Sequence, residues 1–373
     1  MQLSGLHALV IGVSAYPHLA GGTAPSSRAF KMGQLSAAAL TAHRIADWLE
    51  EASDRLSVPY GSCRLLLSPS PGELEPLPAK REYLPATLEQ LRAQALLWRE
   101  ESSQDPDSVS FFYFAGHGLQ RTRQDAVLLM QDFADSALGN PLAKGVDLQD
   151  LFKGMAPTAT RPRMALNQWW FVDACRGYPS EFDNFETLRA QEIFGAELSD
   201  VDRRNAPLYY GALPGTNAYS VSRESTIMGR ALLECLNGAA GEKRAGAQEW
   251  WVTTGTLLRA LQELVGEVGT QDIWDGGQMP RPNTRVVRLE DTPTVRVRVE
   301  LDPARAARKV SLRVERKADG LTMEVPSPLS PNPFEDKWPA GLYRMTCEPP
   351  NETIPDDDWM VFPPLFPWKG KVS

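Results

Sequence analysis

Two hydrophobic runs constrain the fold more than any other feature of this sequence, because each ends in a side chain that can do chemistry. Residues 111–115 run directly into Gly116-His117-Gly118, and residues 169–174 run into Cys175-Arg176-Gly177. Aromatic and β-branched residues fill consecutive positions before a turn of small residues, which predicts two buried strands. If these strands are parallel neighbours, both side chains emerge at the carboxyl edge of one sheet, where open α/β folds form ligand crevices.

A thiol facing an imidazole is the pair that a cysteine peptidase needs. His117 would take or direct the thiol proton, and Cys175 would attack as the thiolate. The alternative is that Cys175 is a small core residue and His117 a turn residue with satisfied hydrogen bonds. His117 is one of four histidines, and its flanking glycines leave room for a close backbone approach, which favours the catalytic interpretation.

The motifs around these residues resemble those of the caspase-like cysteine peptidases, the group of caspases, metacaspases and paracaspases. In that family a Gly-His-Gly closes one strand and an Ala-Cys-Arg-Gly or Ser-Cys closes the next, as Gly116–Gly118 and Ala174–Gly177 do here. Four further segments resemble the family's first strand, the helix after it, the strand and Pro-Gly loop of the substrate pocket, and the helix behind that loop: residues 7–16, 35–49, 209–219 and 228–236. The resemblance covers about residues 5–240.

The apolar patterns along the chain predict an α/β fold: a mostly parallel, caspase-like sheet with helices on both faces. The predicted strands and hairpin partner are residues 8–13, 64–67 and 126–130, in addition to the His117 and Cys175 strands. The predicted helices are residues 35–52, 87–101 and 148–155.

The resemblance also implies roles for residues beside the catalytic pair. The backbone N–H groups of Gly118 and Cys175 are expected to form the oxyanion hole. The substrate pocket is expected to include Ala212, Pro214, Asn217 and Tyr219. No third member of a catalytic triad is implied.

The prediction of substrate specificity rests on Asp173. It lies two positions before Cys175, so in a strand its side chain points to the same side as the thiol. Caspases that cleave after Asp carry Gln there, whereas metacaspases and paracaspases carry Asp and cleave after Arg or Lys. A buried carboxylate needs a cation, and a substrate guanidinium can meet it through two hydrogen bonds. The alternative is that Asp173 only caps backbone amides.

A second pocket acid is harder to identify. No Asp or Glu occurs in residues 14–44, where paracaspases supply one, and Asn217 stands where another acid would be expected. Asp132 is the candidate to replace it, and the choice between Arg and Lys therefore stays open.

Residues 178–207 form a polar stretch that contains Arg189, Arg203 and Arg204. In caspase-like enzymes a segment at this place separates the large and small subunits and is often cleaved on activation. These arginines match the predicted specificity, so self-processing there is one interpretation, and an ordinary exposed loop is the other.

The pattern changes near residue 291. Residues 294–301 and 310–315 alternate strictly between apolar and polar side chains, and residues 341–346 form a further strand pattern. Alternation of this kind predicts half-buried antiparallel strands. The sequence thus predicts a caspase-like peptidase domain over 1–291 and a small β-sandwich-like accessory domain over 292–373, with a regulatory or partner-binding role.

Composition limits the classes of partner that the sequence predicts. The net charge of −8 argues against a nucleic-acid surface, and the absence of long apolar runs argues against a membrane partner and a signal peptide. We therefore expect a cytoplasmic protein with protein or peptide substrates. The other histidines, His7, His18 and His43, lack metal-ligand spacing, so no metal or other cofactor is expected.

Three functions fit the sequence. The first is a cysteine endopeptidase that cleaves after basic residues and is regulated by cleavage of residues 178–207 or by a partner. The second is a zymogen activated by an upstream protease in a bacterial defence cascade of CRISPR or cell-death type. The third is a caspase-like adaptor without activity, which the intact His117 and Cys175 oppose.

Overall fold

The computed structural model describes the chain except residues 1–3, 27–29, 78–80, 121–125, 136–139, 141, 178–188, 196–200, 214, 217–219, 222–223, 270, 305–309, 349–352 and 373. The helices are α1 Ala38–Glu51, α2 Pro71–Leu74, α3 Leu88–Ser102, α4 Leu148–Gly154, α5 Ile227–Glu234 and α6 Thr254–Gly266, and a π-helical segment, Cys235–Ala239, follows α5. In the described parts of the chain, no helix is both long enough and apolar enough to cross a membrane.

The strands are numbered in chain order. They are β1 Leu6–Val13, β2 Tyr60–Ser68, β3 Leu84–Pro85, β4 Val109–Gly116, β5 Gly118–Gln120, β6 Ala126–Leu129, β7 Gly145–Asp147, β8 Asn167–Ala174, β9 Leu208–Tyr210, β10 Ser220–Val221, β11 Ser225–Thr226, β12 Gly241–Glu242, β13 Trp250–Thr253, β14 Trp274–Asp275, β15 Arg285–Leu289, β16 Thr294–Asp302, β17 Ser311–Arg316, β18 Thr322–Met323, β19 Phe334–Pro339, β20 Gly341–Glu348, β21 Asp357–Val361 and β22 Leu365–Lys371.

A seven-stranded sheet in the order β14-β9-β8-β4-β1-β2-β3 forms the centre of the fold. All neighbouring strands in it run parallel except β14, which lies antiparallel to β9 at one edge. Strands β1, β4 and β8 are almost completely buried, because their apolar residues face helices on both sides. The predicted α/β fold with a mostly parallel caspase-like sheet is confirmed.

Strand alternation shows which helices cover which face. Odd-numbered β1 residues such as Leu9 and Ile11 belong to the same apolar cluster as Leu91 and Trp98 of α3. Gly12 points to the opposite face, where α1 approaches so closely that an added Cβ would lie 2.6 Å from the Ala42 Cβ. Helices α1 and α3 therefore cover opposite faces of the sheet.

The predicted elements match the structure with shifts at their ends. Helix α3 begins one residue later than predicted, because the Thr87 hydroxyl caps it by accepting a hydrogen bond from the Gln90 N–H at 3.2 Å. Helix α1 also begins later than predicted, at Ala38. The predicted hairpin partner is confirmed as β6, which pairs antiparallel with β5 directly after His117.

The chain divides into two compact units. The first contains residues up to Leu233 together with Leu264–Thr284, and the second contains Glu234–Glu263 together with the chain from Arg285 onward. In the second unit, β19-β16-β22 and β18-β17-β20-β21 form two mostly antiparallel sheets. Ring contacts of Trp359 in β21 with Trp338 and Phe366 join them, as expected for a small sandwich. The predicted boundary at residue 291 remains a prediction.

Candidate active site

The register between β4 and β8 brings His117 and Cys175 to one place. Gly116, the last residue of β4, pairs with Ala174, the last residue of β8, so His117 and Cys175 each come one residue later on adjacent parallel strands. Neighbouring strands lie about 4.8 Å apart. The Tyr113 hydroxyl reaches Asp173 Oδ2 at 3.3 Å, which shows that this face of the two strands carries their odd-numbered side chains. Both reactive side chains therefore follow on the same face.

A backbone carbonyl orients the imidazole. His117 Nε2 lies 2.7 Å from the Gly33 carbonyl oxygen, and a carbonyl only accepts hydrogen bonds, so Nε2 carries the proton and Nδ1 keeps its lone pair. Burial lowers the pKa of His117, and the hydrogen bond to Gly33 opposes this shift only in part. The imidazole is therefore neutral near pH 7 and has a basic nitrogen available.

Tyr16 holds the turn that carries His117. Its hydroxyl accepts a hydrogen bond from the His117 backbone N–H at 2.8 Å, donates to the Leu129 carbonyl at 3.3 Å, and its ring lies 4.9 Å from the imidazole. Burial raises the pKa of Tyr16 far above its usual range, so the phenol stays neutral. Neither Gly33 nor Tyr16 was predicted as a site residue, because both lie in a loop without periodic pattern.

Gly118 has no space for a side chain. A Cβ on Gly118 would lie 2.6 Å from the Cys175 carbonyl oxygen and 2.9 Å from the Ala174 Cβ. The Gln120 N–H donates to the Gly177 carbonyl at 3.1 Å, so this edge of β5 faces the segment after Cys175. Strand alternation directs the Gly118 N–H to the same edge. The Gly118 N–H therefore points toward the segment after Cys175.

A family model describes most of the chain. The caspase-domain model matches residues 6–288. The chain belongs to the caspase-domain family. A caspase domain implies a cysteine peptidase, which is a hydrolase, and the predicted family resemblance is confirmed.

Two curated relatives share part of this caspase-domain sequence. An uncharacterized protein of Sinorhizobium fredii is 23% identical over 220 residues, which are 58% of this chain and 60% of that protein. A probable protease of a Desulfuromonadales bacterium is 24% identical over 327 residues, which are 81% of this chain and 37% of that protein. The chain thus spans less than two thirds of the length of either relative.

Solved structures also match the caspase domain. A protein of Geobacter sulfurreducens matches with a TM-score of 0.42 at 12% identity, covering 75% of this chain and 98% of that one. Caspase-1 from Spodoptera frugiperda matches with a TM-score of 0.44 at 11% identity, covering 74% and 90%. The family assignment rests on the caspase-domain match.

Asp173, two residues before Cys175 in the caspase domain, is buried, with 3% of its surface exposed. Its Oδ2 accepts hydrogen bonds from the Gly229 N–H at 3.2 Å and the Tyr113 hydroxyl at 3.3 Å. Its Oδ1 is buried and accepts none from the described residues. Burial raises the pKa of Asp173 to about 6, although hydrogen bonds from Thr226, Gly229 and Tyr113 oppose the shift. One oxygen thus caps the start of α5, and Oδ1 accepts no hydrogen bond from the described residues.

The loop after β9 lies against this carboxylate. Gly211 has no side chain, and a Cβ there would lie 3.1 Å from Asp173 Oδ1. Ala212 is fully buried. Two backbone hydrogen bonds hold the next turn beside Cys175: Arg176 N–H to the Thr216 carbonyl at 2.9 Å, and Gly215 N–H to the Arg176 carbonyl at 3.0 Å. Three predicted pocket residues, Pro214, Asn217 and Tyr219, lie outside the described residues.

Asp132 is not a second pocket acid in this structure, which corrects the prediction. Its Oδ2 pairs with the Lys144 ammonium at 2.8 Å, and its Oδ1 accepts from the Leu88 N–H at 3.2 Å, at the start of α3. Helix α3 covers the face of the sheet opposite to α1, whereas Asp173 contacts Tyr113 and α5 on the face of α1. Asp132 therefore stabilises a helix end on the other side of the sheet.

The three arginines of the predicted processing segment differ in accessibility. Arg189 and Arg203 are exposed. Arg204 is 1% exposed, and its guanidinium donates to Asp202, the Phe152 carbonyl and Gln168. The prediction of Arg204 as a processing site is therefore corrected, because a protease cannot reach this side chain in the folded protein.

Among the described residues, the remaining cysteines and acids form no metal site. Desolvation raises the pKa of the half-buried Cys63 to about 12 and that of the buried Cys235 well above its usual range. Within the described ranges, no three His, Cys, Asp or Glu side chains come close enough together to hold a metal ion.

Proposed function

We propose that this protein is a cysteine endopeptidase that cleaves proteins and peptides after Arg or Lys. The observation that carries the proposal is the register of β4 and β8, which ends both strands one residue before His117 and Cys175. The Nε2–H tautomer of His117 supports it, because this tautomer leaves Nδ1 as the basic nitrogen.

The reaction proceeds in two halves. The Cys175 thiol gives its proton to His117 Nδ1, and the sulfur attacks the scissile carbonyl carbon to form a C–S bond. The tetrahedral intermediate collapses, the C–N bond breaks, and the imidazolium protonates the leaving amine. Water, deprotonated by the same imidazole, then attacks the thioester, which releases the acid product and returns the proton to the sulfur.

The oxyanion of each tetrahedral intermediate lies between two backbone donors. The Gly118 N–H is directed toward the Cys175 segment, and the Cys175 N–H is the second donor. These groups are fixed by the sheet before the substrate binds, so the developing charge is stabilised without reorganisation.

Specificity for Arg or Lys rests on Asp173. A buried carboxylate whose Oδ1 accepts no hydrogen bond from the described residues is costly alone, and a substrate cation would supply a partner. The guanidinium of Arg can donate two parallel hydrogen bonds, which favours Arg over Lys.

Peptide substrates that differ only in the residue before the scissile bond test both proposals. Wild-type protein should cleave after Arg and Lys but not after Asp. Cys175→Ala should abolish turnover, and His117→Ala should reduce it by roughly 10²–10⁴-fold. Cys63→Ala is the matched control and should keep full activity, because Cys63 pairs with Ala8, away from the carboxyl ends of the strands.

Asp173→Asn separates specificity from catalysis. Losing one partner of a buried ion pair costs about 3–5 kcal/mol, so kcat/KM for Arg substrates should fall at least a hundredfold. A wild-type preference for Asp would refute the assignment of the pocket, and turnover by Cys175→Ala would refute the peptidase. A complete lack of turnover would favour the adaptor.

Regulation is proposed to act through the segment 178–207. Arg189 and Arg203 are exposed and match the proposed specificity, so the enzyme can process itself, or an upstream protease of a bacterial defence cascade can cut there. Incubated wild-type protein should yield two fragments of similar size, whereas Cys175→Ala should stay intact. If Arg189→Ala/Arg203→Ala stays intact but is fully active, cleavage is not the control, and a partner becomes the favoured regulator.

A further inference from the structure

Gln34 follows Gly33, whose carbonyl orients His117, and its side chain reaches back to Tyr16. The Tyr16 backbone N–H donates to Gln34 Oε1 at 2.7 Å, and Gln34 Nε2 donates to the Tyr16 carbonyl at 2.9 Å. A backbone N–H only donates and a carbonyl only accepts, so these contacts fix which end of the amide is oxygen and which is nitrogen. Gln34 Nε2 also donates to the Ala20 carbonyl at 3.1 Å. The three bonds tie residues 16–20 to the residue after Gly33.

This side chain joins the two groups that hold His117. The Gly33 carbonyl accepts the hydrogen bond from His117 Nε2 at 2.7 Å. Tyr16 supports His117 twice, because its hydroxyl accepts from the His117 backbone N–H at 2.8 Å and its ring lies 4.9 Å from the imidazole. The Gln34 amide therefore sets the distance between the carbonyl at the ring nitrogen and the aromatic ring beside the imidazole.

The loop that carries Gln34 has further anchors of its own. Two backbone hydrogen bonds flank position 33: Ala20 N–H to the Met32 carbonyl at 3.2 Å, and Leu35 N–H to the Ser14 carbonyl at 2.9 Å. Neither bond involves the main chain of Tyr16. Loss of the Gln34 amide should therefore leave the loop in place and allow Tyr16 to move relative to Gly33.

A small movement is important for a base that acts through one ring nitrogen. A misplacement of about 1 Å can cost about 100-fold in rate, even when the change lies outside the reacting groups. A neutral imidazole has two tautomers, and the hydrogen bond at one nitrogen decides which nitrogen keeps its lone pair. When the Gly33 carbonyl is out of reach, the Nε2–H tautomer of His117 loses its partner. A proton on Nδ1 would then block transfer from Cys175.

We propose that Gln34 is a positioning residue whose amide fixes Gly33 and Tyr16 relative to each other and so holds His117 as the Nε2–H tautomer. Gln34 acts through these two residues, which contact His117 themselves. Glutamine suits this role because its amide presents an acceptor and a donor side by side, which match the N–H and the carbonyl of one residue. The proposal rests on the proposed role of His117 as the base, but its first test needs no substrate.

The first test is NMR of the His117 imidazole nitrogens, whose nitrogen-15 shifts differ according to which nitrogen carries the proton. The four histidines are labelled, and the His117→Ala variant assigns the signal. Near neutral pH, where burial and its lowered pKa keep His117 uncharged, wild-type protein should show the Nε2–H pattern. Gln34→Glu keeps the length and the acceptor but replaces both donors with a carboxylate that faces two carbonyl oxygens. Its His117 shifts should move toward the Nδ1–H pattern.

Peptide cleavage supplies the second readout. Gln34→Glu should lower kcat for Arg peptides about 10–100-fold and change KM less than about twofold, because the base is displaced and the substrate pocket is not. Gln104→Glu is the matched control, since that amide also donates twice, to the Glu100 carbonyl at 3.0 Å and to Glu100 Oε1 at 2.9 Å. Gln104 precedes β4, at the opposite end of the strand from His117. This control should keep the wild-type NMR pattern and kcat.

Melting temperatures separate positioning from stability. The proposal predicts the altered NMR pattern and kcat in Gln34→Glu at temperatures where the variant is fully folded. A lower melting temperature with a wild-type pattern and kcat would overturn it. If Gln34→Glu does not fold, Gln34→Asn carries the same test, because it keeps the amide on a side chain one methylene shorter. If the NMR pattern changes as expected but wild-type protein cleaves no peptide, the proposed peptidase function fails while the role of Gln34 stands.

Discussion

Burial of Asp173 couples the stability of the fold to pH. The carboxyl has a pKa of about 6 in the folded protein against an ordinary value of 3.8, so between these values the folded state holds a proton that the unfolded chain has released. Stability should therefore fall as pH rises from about 4 to about 6, by roughly 3 kcal/mol in total. Chemical unfolding at several pH values should show this fall in wild-type protein relative to Asp173→Asn. Parallel pH curves for the two proteins would contradict it.

Gly118 offers a second prediction about a single residue. A methyl group there would collide with the Cys175 carbonyl, so Gly118→Ala should shift the nucleophile, cost about 1–3 kcal/mol of stability, and reduce kcat more than it raises KM. Gly195→Ala is the matched control, since no atom lies within 4 Å of a Cβ there. Equal kcat values for the two variants would show that the protein accommodates the added methyl group at position 118 without moving Cys175.

Arg204 connects three elements near the processing segment. Its guanidinium donates hydrogen bonds to the Phe152 carbonyl in α4, to Gln168 in β8 and to Asp202, which precedes β9. Arg204→Ala should therefore lower the free energy of unfolding by about 3 kcal/mol, because it leaves Asp202 and buried acceptors without their donor. The neighbouring exposed Arg203→Ala should leave the melting temperature unchanged while removing one cleavage site. If Arg204→Ala is no longer processed but keeps its stability, Arg204 is a cleavage site.

The division of the chain into units gives a prediction about truncation. Within the second unit, Glu234 pairs with Arg296 at 2.9 Å, and the Trp250 ring packs against Phe362. A protein that ends at residue 291 keeps the whole predicted peptidase domain but loses these partners. Limited proteolysis should then cut within residues 234–263, whereas these residues should resist cleavage in the full chain. A truncated protein with wild-type protection there would support the boundary predicted from the sequence.

The strands that precede His117 and Cys175 were predictable because local sequence determines them. The apolar run before His117 leaves few alternatives to a buried strand, and a glycine after it marks the turn. Tertiary contacts were not predictable in this way: Asp132 carries no local sign that Lys144 and the start of α3 take its carboxylate. Arg203 and Arg204 are adjacent and chemically identical, and only the fold makes one a surface residue and the other a core residue.

The Gly33 carbonyl that orients His117 has a consequence for how this site tolerates mutation. A carboxylate in that place would be lost by a single codon change, whereas a main-chain oxygen is present whichever residue is encoded. The loop holds it through further main-chain bonds, such as Ala20 N–H to the Met32 carbonyl and Leu35 N–H to the Ser14 carbonyl. In a saturation library scored for activity, position 33 should therefore accept most side chains, because a Cβ there would come no closer than 3.8 Å to another atom. Proline at position 35 and deletions should fail, because they remove a backbone donor or shorten the loop. A scan of side-chain substitutions would then not detect Gly33 as the residue that orients His117.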